Sequence, residues 1–519
     1  MLAEHQFSRR GFLGLAGGLG AAVTLAGCGT GGASSAGSVK GTTSVALLPS
    51  TAPTSWKAVL DQANSKLQKD LGFNLDAQFI NWTNYGQQAL LKFTAGEKFD
   101  TALQALWLNM GQLQQSGSLM DLTNEIAKYK NLSASLPKKL LDSNTWDGHL
   151  WGVPQVNTAG RVQHFAIRQD LADKYGFSSI ENYDQMERFL YAVKEKGGGV
   201  IPFGANSSNA GLLAVPGPIG IFNARTWDDP HSIAVGFNGS GISFLFAKDA
   251  KQTGSSKPLP FWEDASVIET LHRIRQYQQD GIINADGLNA DSATVKSQWS
   301  AGKFAATWAM TDGLTSNALP ALQRAVPGAA IGDVAPFKDG LKAKPNQTFQ
   351  ADNMVVLSSK SANTDRALQL QDWLSIQENH DLLAYGVEGK DWQAADGNKF
   401  KQLSDYAFPA YALCWRSNLE RKPALMSASE EKLYDWAQNY DNFTVDPFAS
   451  FIPDSTPVKQ QAAALSNVMT QYGNPLFYGV VDVDQQLDKL KKAADAAGLS
   501  TLQGEMEKQA NAYLKKQSQ

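Results

Sequence analysis

Cysteine is nearly absent: the 519 residues contain only Cys28 and Cys414. A network of disulfides is thereby excluded, and packing must hold the fold. Histidine is scarce as well. His5, His149, His164, His231, His272 and His380 are scattered, and no two share metal-ligand spacing. Gly-x-Ser-x-Gly, His-Glu-x-x-His and P-loop motifs are missing, which removes the sequence-legible hydrolase, metalloprotease and nucleotide-binding classes. Asp286–Asp291 resembles a calcium loop only in part, since it lacks alternating ligands and a terminal Glu. A formal charge of −4 and a pI near 5.9 argue against nucleic acid, which calls for concentrated Lys and Arg. Beyond the first forty residues there is no long uncharged apolar run, so nothing there is expected to cross a membrane.

The N-terminus is distinct. Ser8-Arg9-Arg10-Gly11-Phe12-Leu13-Gly14 is a twin-arginine motif, and the apolar run after it ends at Leu25-Ala26-Gly27-Cys28. A basic start, an apolar stretch and a small-residue cleavage site describe an export signal. The final tetrapeptide resembles a bacterial lipobox. We therefore expect residues 1–27 to be removed and Cys28 to carry a lipid on the outer face of the bacterial cell membrane. Residues 28–40 are rich in Gly, Ser, Thr and Ala and read as a flexible tether. With Cys28 acylated, Cys414 has no disulfide partner. The remaining chain, about 480 residues, exceeds a single core and suggests two lobes.

What the sequence has in abundance is aromatic residues: 13 Trp, 14 Tyr and 24 Phe. From Thr43 the pattern alternates strand and helix. Residues 44–48, 74–80 and 100–106 read as strands, with helices at 56–67, 85–94 and near Gly111. Such βαβ spacing implies α/β architecture. The strand ends at 49–51, 81–82 and 107–109 would share one rim, where open α/β sheets bind ligands. A second α/β segment follows Trp151-Gly152-Val153-Pro154. It has strands at 162–168, 200–204 and 304–310 and helices at 182–196, 267–278 and 294–301. The last third reads as mainly helical.

Trp82, Trp107 and Trp308 each follow an apolar strand beside a polar side chain: Asn81, Asn109 and Asp312. Any one Trp there is better explained by packing. Three together fit a cleft in which indoles stack on the apolar faces of a sugar while amides and carboxylates bond its hydroxyls.

The order of segments then carries a resemblance. Lys92–Asp100 (KFTAGEKFD), Gly117–Thr123 (GSLMDLT), Trp146–Pro154 (WDGHLWGVP), Ile167–Tyr175 (IRQDLADKY) and Tyr277–Asn284 (YQQDGIIN) resemble the carbohydrate class of extracellular solute-binding proteins of ABC importers. Asp352-Asn353-Met354 and Tyr385–Trp392 (YGVEGKDW) resemble its longer, oligosaccharide-binding lipoproteins. The resemblance implies a two-lobed, class II periplasmic-binding-protein-like α/β fold, each lobe a mostly parallel sheet flanked by helices. Lobe I would hold 41–156 and 335–381, and lobe II 158–334 and 382–519. The chain would cross a hinge near Val156–Thr158, Ala335 and Leu382.

It further implies a monomer that binds a sugar, closes and hands it unchanged to a membrane permease, with no cofactor. Trp82, Trp107, Asn109, Asn206, Asn209, Trp308, Asp312, Asp352, Asn353 and Trp415 fall where ligand contacts are expected, although Asp352 and Asn353 serve equally as strand residues. Glu388 reads as a fold signature. Related long members carry a calcium loop where this chain has Lys194–Val200 (KEKGGGV), so no metal is expected there. Two other functions remain open from the residues alone: a surface carbohydrate-active enzyme with a carboxylate pair, and a binding protein for a non-sugar solute.

Overall fold

A computed structural model of the chain describes residues 43–207, 222, 233–311, 313 and 315–517. Cys28, Asn209 and Asp312 lie outside the described residues. The first sheet starts with β1 (Thr43–Pro49), whose second half is wholly buried. Helix α1 (Trp56–Leu71) returns the chain across it, burying Val59, Ala63 and Leu67, which are spaced four apart on one helical face. Gly72 ends α1 at φ 75°, and its N–H bonds the Leu67 and Gln68 carbonyls, a left-handed stop that favours glycine. β2 (Asn74–Ile80) and α2 (Trp82–Ala95) repeat the unit. β3 is shorter than its apolar run suggests, Thr101–Gln104, because the N–H groups of Leu108 and Met110 turn back onto the Ala105 carbonyl.

With β4 (Val153–Gln155) and a late strand, Asn353–Leu357, the first sheet has the order β2-β1-β3-(353–357)-β4. The second sheet is built from β5 (Gln163–Arg168), β6 (Ile201–Gly204), β7 (Phe304–Met310) and β8 (Ile331–Val334), in the order β8-β5-β7-β6. Asn353–Leu357 is then β9. In each sheet a single strand runs against the rest. β9 is antiparallel to both β3 and β4, and β5 is antiparallel to both β7 and β8. β1, β2 and β3 are mutually parallel, as are β6 and β7. Each sheet supports its own core. Leu47, Leu103, Val355 and Leu368 belong to the first, and Phe165, Phe203, Leu271 and Leu490 to the second. The fold is therefore two-lobed α/β.

The chain passes from β4 to β5 through 156–162 and returns from β8 to β9 through 335–352. The third passage comes later than Leu382. Tyr406, Phe408, Ala412, Leu413 and Cys414 are buried in the first core, and the Tyr406 hydroxyl donates to the Leu383 carbonyl at 2.8 Å. Apolar residues 406–414 thus fasten the segment after Leu382 to lobe I rather than lobe II. The chain rejoins the second sheet only with α3 (Ala428–Gln438), where the Asp333 N–H donates to Ser429 Oγ at 3.0 Å. The helices Val483–Ala496 and Leu499–Gln517 close the second core. No helix of the described residues is long and apolar enough to cross a membrane.

Candidate functional site

The rim at the ends of β1, β2 and β3 carries a row of aromatic rings. Asn81 caps α2: its side-chain oxygen accepts from the Thr83 N–H at 3.0 Å. That cap makes Trp82 the first residue of the helix rather than the end of a strand and leaves it 42% exposed. One turn on, the buried Tyr85 donates to the Leu47 and Leu103 carbonyls, seating α2 over β1 and β3. Trp107, in the turn after β3, is 56% exposed. Its ring centre lies 6.0 Å from that of Trp82. Trp82 in turn lies 6.2 Å from Tyr411 with planes 12° apart, and Tyr411 lies 5.9 Å from Trp415, edge to face. Four rings from three distant segments make one continuous row.

Hydrogen bonds fix the row. Trp82 Nε1 donates to the Tyr411 hydroxyl at 2.9 Å, and that hydroxyl donates to the Pro49 carbonyl at 2.8 Å. Trp107 Nε1 donates to the Asp352 carbonyl at 2.8 Å. The Asp352 carboxylate pairs with Arg161, so an ion pair ties the first passage between the lobes to the second. Behind Trp415 sits Arg416, whose guanidinium is fully buried. It donates to Gln155 Oε1 at 3.1 Å, Gln371 Oε1 at 2.8 Å, Ser375 Oγ at 3.2 Å and the Trp415 carbonyl at 2.7 Å. Burial without a carboxylate at hydrogen-bond range lowers its pKa to about 10, still well above neutrality.

A cavity of about 300 Å³ adjoins Tyr411 and Trp415, and its walls come from both lobes. Tyr406 and Phe408 belong to the first core. Gly313 follows β7, and Tyr434 is on α3. Asn157, in the first passage, also lines it, and its carbonyl accepts from the Tyr434 hydroxyl at 3.2 Å and Gln438 Nε2 at 3.0 Å. Exposed ring faces beside amides and hydroxyls suit a ligand with apolar faces and polar edges.

The remaining residues singled out from sequence are placed differently. Asn109 is half-buried and its side-chain N–H donates to the Gly86 carbonyl at 2.8 Å, bracing the turn after β3 against α2. A Cβ at Gly86 would come within 3.1 Å of the Leu108 side chain, so the turn and α2 pack closely there. Asn206 is buried, and its carbonyl accepts from Tyr478. Asn353 is buried in β9 opposite Gln155. Trp308 is half-buried in β7 opposite Phe165 and packs on the second core. Sequence reading missed Tyr411 and Arg416. Tyr411 lies 329 residues from Trp82, and its only signal is the cluster Tyr411-Ala412-Leu413-Cys414-Trp415-Arg416.

One acid–base pair is closed off from this surface. His164 Nε2 lies 2.5 Å from Asp333 Oδ1 with both side chains buried in lobe II. Among the described residues no group of three or more His, Cys, Asp or Glu is arranged to hold a metal ion.

Comparison with known proteins agrees with this architecture. The family described as bacterial extracellular solute-binding protein matches residues 49–379. A domain of unknown function matches residues 447–515. A carbohydrate ABC transporter substrate-binding protein of Streptococcus pneumoniae is 24% identical over 474 residues, 89% of each chain. Among solved structures, the N-glycan transport solute binding protein of Streptococcus pneumoniae superposes with a TM-score of 0.73 at 22% identity, covering 92% of this chain and 99% of that one. The same protein in complex with Man5GlcNAc gives 0.66. An HMO-binding, ABC-transporter-associated solute-binding protein of Bifidobacterium longum infantis gives 0.63 at 18% identity, covering 91% and 99%.

Proposed function

The chain belongs to the bacterial extracellular solute-binding proteins, and from that premise we propose that it binds an oligosaccharide on the aromatic row and delivers it unchanged to the permease of an ABC importer. The observation that carries the reading is the exposure of Trp82 and Trp107. Each indole is about half exposed, so each forgoes on the order of 1 kcal/mol of burial, which a stacking ligand restores. Ring spacings near 6 Å offer successive platforms suited to several linked sugar rings rather than one. The relatives named for N-glycan and HMO binding support an oligosaccharide over a monosaccharide. The absence of a sequence-legible catalytic motif supports binding over turnover.

Trp82, Trp107, Tyr411 and Trp415 are the stacking residues in this reading, with Trp308 as a contact from lobe II. Intrinsic fluorescence should quench saturably with a mannose- or N-acetylglucosamine-containing oligosaccharide, and mass spectrometry should recover the ligand intact. Trp107→Ala should weaken binding about 10- to 100-fold. A glycan cleaved on incubation would contradict the reading.

Cys28, in the same proposal, holds the receptor to the membrane by a lipid on the 28–40 tether. Cys28→Ser should release the protein into the medium with glycan affinity unchanged. Retention of that variant at the membrane would remove the lipid from the account.

A further inference from the structure

A second concave site lies away from the aromatic row. A groove of about 490 Å³ forms where Lys248–Gln252, the Phe337–Asn346 segment and Thr444–Pro447 meet. Its lining holds five lysines, Lys248, Lys251, Lys338, Lys342 and Lys344, and one carboxylate, Asp339. None of these residues belongs to the row or to the 300 Å³ cavity beside it. The floor is rigid: Phe337 is buried in an apolar cluster with Trp436 and Phe443.

The chain has more Asp and Glu than Lys and Arg, 50 against 46, so acidic partners are not in short supply. Some lysines elsewhere find them, and others, Lys69 and Lys489 among them, form no ion pair with the described residues. Lys422 bonds both Glu431 and Asp435, and Lys399 also reaches Glu431. Among the described residues, Lys251, Lys338 and Lys342 form no ion pair, and Lys344 acts on the carboxylate of Asp441 without a contact pair. Like charges gathered around one concavity repel one another, and low-dielectric walls focus their field into it. An anion in the groove relieves that repulsion. A single carboxylate leaves most of the excess uncompensated, whereas phosphate groups bring more charge and several acceptor oxygens to lysine point charges. Gln252 and Thr444 add polar side chains to the wall, and the volume is that of a small-ligand site. Exposed Trp is absent from the lining, which sets this groove apart from a platform for neutral sugar.

We propose that the groove formed by Lys251, Lys338, Lys342 and Lys344 binds a multiply charged, phosphate-bearing ligand independently of the aromatic row. For an extracellular protein that phosphate belongs either to a lipid headgroup or to a soluble molecule.

Calorimetry of the full chain with inorganic pyrophosphate at low salt tests the proposal. One saturable site is expected, weakened at least tenfold in the triple variant Lys338→Gln/Lys342→Gln/Lys344→Gln and weakened further by added salt. Lys251→Gln, on a different segment, should act in the same direction. Thermal unfolding of each variant separates loss of the site from loss of the fold. Co-sedimentation then identifies the source. A preference for phosphatidylglycerol over phosphatidylcholine vesicles, lost in the triple variant and competed by pyrophosphate, assigns a lipid headgroup. Pyrophosphate binding without that preference assigns a soluble ligand. No saturable pyrophosphate binding, or equal binding by a folded triple variant, overturns the proposal.

Discussion

Tyr411 holds two neighbours through one hydroxyl, accepting from Trp82 and donating to Pro49. Tyr411→Phe keeps the ring and removes both bonds, each worth about 0.5–1.5 kcal/mol net. Glycan affinity should fall severalfold as Trp82 loses its anchor, with a small loss of melting temperature. Unchanged affinity would show that the stacked rings alone set the geometry. Arg416 is a harsher case, because it is buried on three neutral side-chain acceptors from two distant segments. Arg416→Met strands the Gln155 and Gln371 side-chain oxygens, so chemical denaturation should show a loss of about 2–4 kcal/mol. At this scale the sequence told a partial story. Trp82 and Trp107 stood out as indoles after apolar strands beside amides, and the structure leaves both rings exposed on the rim. Asn81 and Asn109 were legible only as polar neighbours, and the structure uses them to cap and brace α2. Tyr411 and Arg416 were not legible, since nothing local marks a residue whose partners lie hundreds of positions away.

At the scale of elements, three buried groups make stability depend on pH. In the helix Gln377–Ala384, burial alone pulls His380 down. Glu420 and Asp381 outweigh it, and the pKa rises to about 9. Burial lifts the Asp446 carboxyl to about 7 against a bond from the Phe448 N–H. On α3, Glu430 is raised by burial and then by the charge of Asp333. In all three the folded state holds its proton more tightly than the unfolded chain. Their contribution is therefore complete below the unfolded value and is lost as pH rises through the folded one. For Asp446 that window runs from about 4 to 7, and for His380 from about 6.5 to 9. The melting temperature should fall from pH 5.5 to pH 9. Asp446→Asn retains an acceptor for Phe448 and should flatten the decline between pH 5.5 and 7.5, with a gain on the order of 1–3 kcal/mol at pH 8. A melting temperature constant over this range would contradict the assignment.

The elements themselves were largely legible. Period-four burial in α1 and the apolar runs of β1, β2 and β7 lie where the pattern put them. Strand direction was not legible. An apolar run reads the same both ways, so the reversed β5 and β9 follow only from where the chain crosses. The segment after Leu382 was assigned to the wrong core for a similar reason, because burial of Tyr406–Cys414 does not say which sheet it covers.

For the whole molecule, the two lobes are joined by three passages, and the site sits where those passages meet. Asn157 is held by α3, Arg161 by Asp352, and Gln155 by Arg416. Trp107 is bonded to the same Asp352. In the proposed reading, a ligand on Trp107 would be one hydrogen bond from an ion pair that spans two passages, a short route from binding to the hinge motion proposed for the lobes. A ligand shifts that motion only by its preference for the closed form. The most direct test of this account is isothermal titration calorimetry with mannose- and N-acetylglucosamine-containing oligosaccharides, comparing the wild type with Trp82→Ala/Trp107→Ala. The account predicts saturable one-to-one binding that strengthens with chain length and is lost in the folded double variant. Equal affinity in the two proteins, or no heat with any glycan while another class of solute binds, would contradict it.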